Sequence, residues 1–265
     1  MLGYLAYNFY VPTPFYHLSI AEELLKGSSL PAGIGLFLQR YRGEYMLGNI
    51  SPDVQVFSGQ RREATHFFEL PVRREKPPAW ERILRAYPAL ASPSEMTPAQ
   101  VAFLCGYLCH LQADWFWVLD IFVPVFGLRS GWDTFPRRLY LHNVLRAYLD
   151  QRILPTLPDQ SASHLTKAAP EQWLPFVADQ YLREWRDYLA KQLQPGEKIH
   201  TVDVLAARQG ASPEEYYRLL ASEEHMDREI FSHLPRQRLN HYRTQLVIEN
   251  ERLIQTYLID SPYNG

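Results

Sequence analysis

Gly106-Tyr107-Leu108-Cys109-His110-Leu111-Gln112-Ala113-Asp114-Trp115 sets an imidazole and a carboxylate four residues apart inside an otherwise apolar stretch. An α-helix turns once every 3.6 residues, so His110 and Asp114 share one face and can converge on a single cation. For this pair alone a plainer reading stays open, in which a His and an Asp satisfy each other inside a core. Thr97 and Pro98 look like the cap and first residue of the helix, and apolar spacing through Ala102, Cys105, Cys109, Ala113 and Trp117 carries it to about Asp120.

Helical spacing extends in both directions from this stretch, without a repeat, a low-complexity tract or a period-two run. Thr13 and Pro14 open a helix to about Lys26, and a short one follows over 31–42. In Gly48-Asn49-Ile50-Ser51-Pro52-Asp53 a turn is expected, with Ser51 capping Pro52. Residues 58–76 read as charged and irregular, carrying Arg61, Arg62, Arg73 and Arg74 together with Thr65-His66. Further helices are expected over 137–154, 170–193, 202–208, 212–234 and 236–258, with a linker near 155–168.

Composition restricts the class. The chain has 265 residues, 46% hydrophobic and 21% charged, enough to bury a sizeable core and far from a disordered composition. A net charge of -2 gives no polycationic surface, which argues against a dedicated nucleic-acid-binding surface. The longest apolar run, 115–128, holds Asp120 and Pro124 and is too short for a transmembrane segment. The amino terminus lacks a basic n-region, and Cys105 and Cys109, spaced as i and i+4 on a helix, read as reduced thiols. Cytoplasmic residence is the expectation. No Gly-rich phosphate loop, nucleophile elbow or zinc-finger spacing occurs, so any phosphate chemistry must come from a metal.

Burying His110 and Asp114 among aromatic residues costs several kcal/mol per charge, on the order of a lost ion pair, unless something compensates, and a divalent cation compensates best. Three further candidate ligands are His17 on the first helix, Asp53 in the proline turn and His66 behind Thr65. Two histidines with two carboxylates make the mixed nitrogen and oxygen set that zinc accepts, with a third histidine available to a neighbouring ion. His164, His200, His225, His233 and His241 are left aside. His225 and Glu229 have ligand spacing, but Glu223, Glu224, Asp227 and Arg228 around them mark a solvated face.

His17 and its helix, then Leu47-Gly48-Asn49-Ile50-Ser51-Pro52-Asp53, Thr65-His66-Phe67 and 106–114, taken in this order, resemble the zinc-dependent phospholipase C family, whose fold is shared with the P1-type nucleases. The resemblance covers roughly 14–150. It implies an all-α, single-domain, multi-helix bundle over 1–265, with the metal site mainly in 14–150 and a C-terminal helical extension over about 166–260. It also implies zinc as cofactor, one ion and up to three, with phosphate esters hydrolysed by metal-activated water. Position by position, Asp53, His66, His110 and Asp114 would bind the first ion. Asp114 would bridge to another held by His17, and Asp53 would be catalytic, steering or deprotonating the attacking water.

Two departures stand beside the match. The family's second-site pair is a histidine followed four residues later by Glu or Asp, whereas His142 is followed by Arg146, a cation that repels a metal. Asp120 stands where the family often has histidine, and is counted with His142 among the candidate ligands. The family's processed amino-terminal ligand has no processing site to match it here. Arg146 is read either as a ligand for a substrate phosphate oxygen or as a salt-bridge partner of Asp120 or Asp150. An aromatic pocket near Trp115, Trp117 and Tyr107 is expected, with Trp115 against the substrate, and it suits choline-like cations and acyl edges. Lipid phosphate esters are a candidate substrate, and a smaller soluble phosphate ester or a nucleotide fits the sequence equally well. The function that follows is a zinc-dependent phosphoric ester hydrolase. The alternative is a non-catalytic zinc-binding structural or interaction protein that has lost part of a multi-metal site.

Overall fold

The chain is described in a computed structural model covering residues 10–27, 29–69, 72 and 76–263. The aromatic start over 1–9 and the charges Arg73 and Arg74 lie outside these residues. Among the described residues there are fourteen α-helices and no strand. In chain order they are α1 (Pro14–Gly27), α2 (Ala32–Arg40), α3 (Arg42–Gly48), α4 (Gln55–Ser58), α5 (Arg62–His66), α6 (Ala79–Ala86) and α7 (Pro98–Phe116). There follow α8 (Phe135–Ile153), α9 (Ser161–Lys167), α10 (Asp179–Gln192), α11 (Thr201–Gln209), α12 (Pro213–Leu220), α13 (Glu223–Met226) and α14 (Arg236–Tyr257).

Helix α7 is the axis of the molecule. Thr97 Oγ1 accepts the Gln100 N–H at 3.3 Å and Pro98 fills the first turn, as capping chemistry requires. Every residue from Val101 to Trp115 is buried, so the helix has no solvent face and belongs to the core. It packs against α3, α6 and α14, and the main apolar core runs from Val11 to Leu246, joining the two ends of the sequence.

The α3–α7 crossing is backbone against backbone. A Cβ on Gly106 would lie 2.1 Å from the Tyr45 carbonyl, and one on Gly48 would lie 1.9 Å from that of Phe103. Only glycine permits this approach. It brings the Asn49 carbonyl within reach of the His110 ring, 2.8 Å from Nδ1.

Several expected boundaries move. Past Phe116 the chain continues as a π-helix over Trp117–Phe126 with Pro124 inside it; the wider winding relieves the clash a proline makes with the carbonyl of an α-helical turn. The expected linker contains α9, packed so tightly on α3 that a Cβ on Gly43 would lie 2.2 Å from the His164 carbonyl. The helix expected over 170–193 starts only at Asp179, and that expected over 212–234 breaks after Leu220. There Ser222 caps a new start by accepting the His225 N–H at 3.2 Å. Ser51 does not cap Pro52: its hydroxyl donates to the Leu47 carbonyl at 2.7 Å.

Candidate metal centre

The five side chains singled out by sequence come from four separate elements and meet in the interior. His17 comes from α1, Asp53 from a 3-10 turn over Ser51–Val54, His66 from the end of α5, and His110 and Asp114 from α7. All are buried: Asp53 is 9% exposed and the other four 1% or less. Asp114 is the hub. His17 Nε2 lies 3.3 Å from its Oδ1, while His66 Nε2 and His110 Nε2 lie 3.5 and 3.6 Å from its Oδ2. His66 Nε2 is also 3.4 Å from Asp53 Oδ1. The rings of His17 and His110 stack with centroids 3.8 Å apart.

Each imidazole is set by its backbone. The Asn49 carbonyl can only accept, so His110 donates from Nδ1 and keeps its Nε2 lone pair facing Asp114. His66 Nδ1 lies 3.0 Å from Thr65 Oγ1 and 3.3 Å from the Arg62 carbonyl, which orients its ring in the same way. Phe67, the residue after His66, closes α5 in the left-handed region at φ 58°, a conformation that costs a non-glycine residue about 1–2 kcal/mol. Its ring packs edge-on to Tyr87 and Phe176, which holds the strained turn in place.

Electrostatics favour the neutral, donor form of two of the three imidazoles, His17 and His66. Burial pushes the His17 pKa down, and burial together with the Arg62 charge pushes that of His66 down to about 4. On His110 burial opposes the charge, but Asp114 outweighs it and raises the pKa. Both carboxylates stay ionised despite burial. The adjoining imidazoles of His66 and His110 hold Asp53 down to about 2, and His110, His17 and Arg62 hold Asp114 far below the usual range.

The donor set fits a divalent ion of zinc type. Nε2 of His17, His66 and His110 and Oδ1 of Asp114 are buried without a hydrogen-bond partner, which native interiors rarely tolerate. Two groups, His17 with His110 and Asp114, and Asp53 with His66 and His110, each have ligand atoms within 4.8 Å of one another. Neutral imidazole nitrogens with carboxylate oxygens suit zinc.

The other predicted site residues are placed differently. His142, on α8, is not in the cluster: its Nε2 accepts the Trp117 Nε1–H at 2.9 Å, and its ring sits among Trp117, Phe122 and Phe126. Asp120 faces a separate cavity with Phe116, Arg238 and His241. Trp115 packs edge-on against Phe68 and Trp80 and does not line the cavity that Asp53 reaches, and Trp117 and Tyr107 are core side chains. Arg146 ion-pairs with neither Asp120 nor Asp150. It donates to Asn143 Oδ1 at 3.0 Å and to the Pro12 carbonyl at 3.4 Å. Asp150 takes the hydroxyls of Thr13 and Thr201 instead.

Arg62 was passed over within the segment read as irregular. Its Nη2 lies 2.6 Å from Asp114 Oδ2, and its guanidinium sits 4.5 Å from the Phe68 ring centre. The available signal was its spacing of four from His66, which places both on one turn of α5.

Beside the cluster opens a cavity of about 330 Å³, which Asp53 reaches but the other four cluster residues do not line. Phe57, Trp185 and Tyr188 form one wall, with Trp185 held by its Nε1–H to the Ile50 carbonyl at 2.8 Å. Arg146 and Arg208 also line it. The expected aromatic pocket therefore exists, built from different rings.

Fold and site together define a class, all-helical proteins in which histidines and carboxylates from separate helices converge in the interior as candidate metal ligands. Within that class, residues 16–117 match the family model described as zinc dependent phospholipase C, the family that the sequence resembles. All five cluster residues fall inside the matched segment, while His142, Arg146 and Arg208 lie beyond it. No curated protein and no solved structure matches the chain.

Proposed function

We propose that the protein is a zinc-dependent phosphoric ester hydrolase of the phospholipase C type, acting on a phosphate ester in the cavity next to Asp53. The observation that carries this reading is the trio of buried, unpartnered imidazole Nε2 atoms facing two carboxylates at the edge of an open cavity. His17, His66, His110, Asp53 and Asp114 would hold the metal, which when bound supplies a water activated for attack and positive charge toward the phosphoryl oxygens. Asp53, reaching both the cluster and the cavity, orients that water as a hydrogen-bond acceptor. Arg146, 5% exposed and with its Nε unpartnered, offers positive charge to a phosphate oxygen. Phe57, Trp185 and Tyr188 exclude water and contact an apolar part of the substrate. Among the described residues no helix is long and apolar enough to cross a membrane, so a lipid substrate would be met at a surface or in dispersed form.

A second reading has its own observation. Arg62 already neutralises Asp114 from within the cluster, as suits a closed, structural ion in a non-catalytic zinc-binding protein. Elemental analysis of the purified protein and a panel of phosphodiesters and phosphomonoesters, with chelator and after zinc is restored, separate the two. Hydrolysis that is lost in chelator, regained with zinc and abolished in Asp53→Asn supports the enzyme. Bound zinc without hydrolysis of any ester supports the structural site.

A further inference from the structure

The cavity beside Asp53 carries more positive charge than any partner accounts for. Arg146 arrives from α8 and Arg208 from α11, and both line the same space. Arg146 is nineteen-twentieths buried, makes hydrogen bonds only to neutral oxygens of Asn143 and Pro12, and leaves Nε without a partner. Arg208 is half-buried, and no hydrogen bond or ion pair engages it among the described residues. Arg146 is pushed down to about 10 by burial and then by the Arg208 charge, and burial lowers Arg208 as well. Asp53, Asp150 and Asp114 offset part of the Arg146 charge through space, but among the described residues Asp53 is the one carboxylate lining the cavity with the two guanidiniums, so an anion entering it meets donors that no carboxylate ion-pairs.

We propose, resting on the hydrolase reading above, that Arg146 and Arg208 form a guanidinium pair that binds the anionic phosphate end of the substrate, so that the enzyme takes amphiphiles with a terminal phosphate monoester and rejects cationic, choline-type headgroups. Planar guanidiniums match phosphate oxygens with paired N–H donors, and a doubly charged monoester gains more from two cations than a zwitterion does. Charge repulsion supplies the rejection, since a quaternary ammonium group would meet the same pair. Opposite them, Phe57 and Val56 at the cavity edge are 37% and 41% exposed, an apolar lip for the remainder of the amphiphile. Arg208 lies on the C-terminal side, outside the matched segment. It acts as a specificity-determining residue.

The test uses the full chain and two soluble probes, dihexanoyl phosphatidate and dihexanoyl phosphatidylcholine. Calorimetric titration of the metal-free protein is expected to show at least tenfold tighter binding of the phosphatidate. Arg208→Gln should weaken phosphatidate binding at least tenfold and erase the discrimination, while Arg208→Lys restores part of both. With zinc restored, Arg208→Gln should raise KM for phosphatidate more than it lowers kcat. Arg146→Gln is the second variant, accepted only if its unfolding midpoint matches the wild type. Equal affinity for the two probes, or phosphatidate binding unchanged in Arg208→Gln, would overturn the proposal. The two readings fail separately: Arg208-dependent binding without any zinc-dependent hydrolysis sinks the hydrolase reading, and hydrolysis that prefers the choline ester sinks the anion selection.

Discussion

Two fully buried histidines sit on two helices of 19 residues each, α7 and α8, with opposite fates. His110 on α7 is followed four residues later by Asp114, and its Nε2 faces that carboxylate with no hydrogen-bond partner. His142 on α8 is followed at the same spacing by Arg146, and its Nε2 is taken by the indole N–H of Trp117. The residue one turn on decides which kind of site is built. A carboxylate stands among further candidate donors, whereas a guanidinium turns toward the cavity and leaves the histidine to satisfy a core tryptophan. Burial alone, identical for both, distinguishes nothing.

The largest effect should come from the crossing that aims His110. Gly106→Ala forces a Cβ into the Tyr45 carbonyl, and an expected loss of about 3 kcal/mol, at the upper end of overpacking costs, would appear in urea unfolding. Unchanged stability would mean that α3 and α7 need not touch.

Next, His110→Ala should lower zinc affinity at least a hundredfold, read by competition with a chromophoric chelator. His142→Phe should leave zinc content unchanged and instead cost about 1–3 kcal/mol for the stranded Trp117 N–H. Loss of zinc in the His142 variant would erase the contrast between the two helices. Chelation of the wild type should in turn lower Tm, because an ion bound only by the folded chain stabilises it by mass action.

The last effect is one of pH and concerns Asp150, on α8 two turns beyond His142. Burial pushes its carboxyl up to about 7 against the hydroxyls of Thr13 and Thr201 and the charge of Arg146. The folded chain therefore holds a proton that the unfolded chain has released. Stability falls as pH rises from the ordinary carboxylate value near 4 toward 7, by at most about 1.4 kcal/mol per pH unit, and is flat above. Asp150→Asn should flatten the pH 5 to 8 dependence of the urea midpoint, measured in chelator so that metal affinity adds no slope of its own.

The contrast between α7 and α8 also marks how far sequence reading reached. His17, Asp53, His66, His110 and Asp114 were legible because helical spacing and the proline turn leave few other uses for such groups in apolar surroundings, and because the family resemblance ordered them. Arg62 was hidden because five residues of helix inside a charged segment show no periodicity. Arg208 was hidden because its role depends on α11 folding back beside α1 and α8, a long-range placement that no local pattern encodes. The cavity walls were misassigned for the same reason. Trp115, Trp117 and Tyr107 are adjacent to the ligands in sequence, yet α7 is buried all round, and the rings facing the cavity come from α4 and α10. The expected end of α7 near Asp120 falls inside the π-helix over Trp117–Phe126, whose wider winding the apolar spacing of an α-helix does not reveal.

Anomalous diffraction at the zinc edge from crystals grown with zinc tests the central claim most directly. The account predicts a peak among the Nε2 atoms of His17, His66 and His110 and the carboxylates of Asp53 and Asp114, and none beside His142. An empty cluster under saturating zinc, or density on His142 instead, would contradict it.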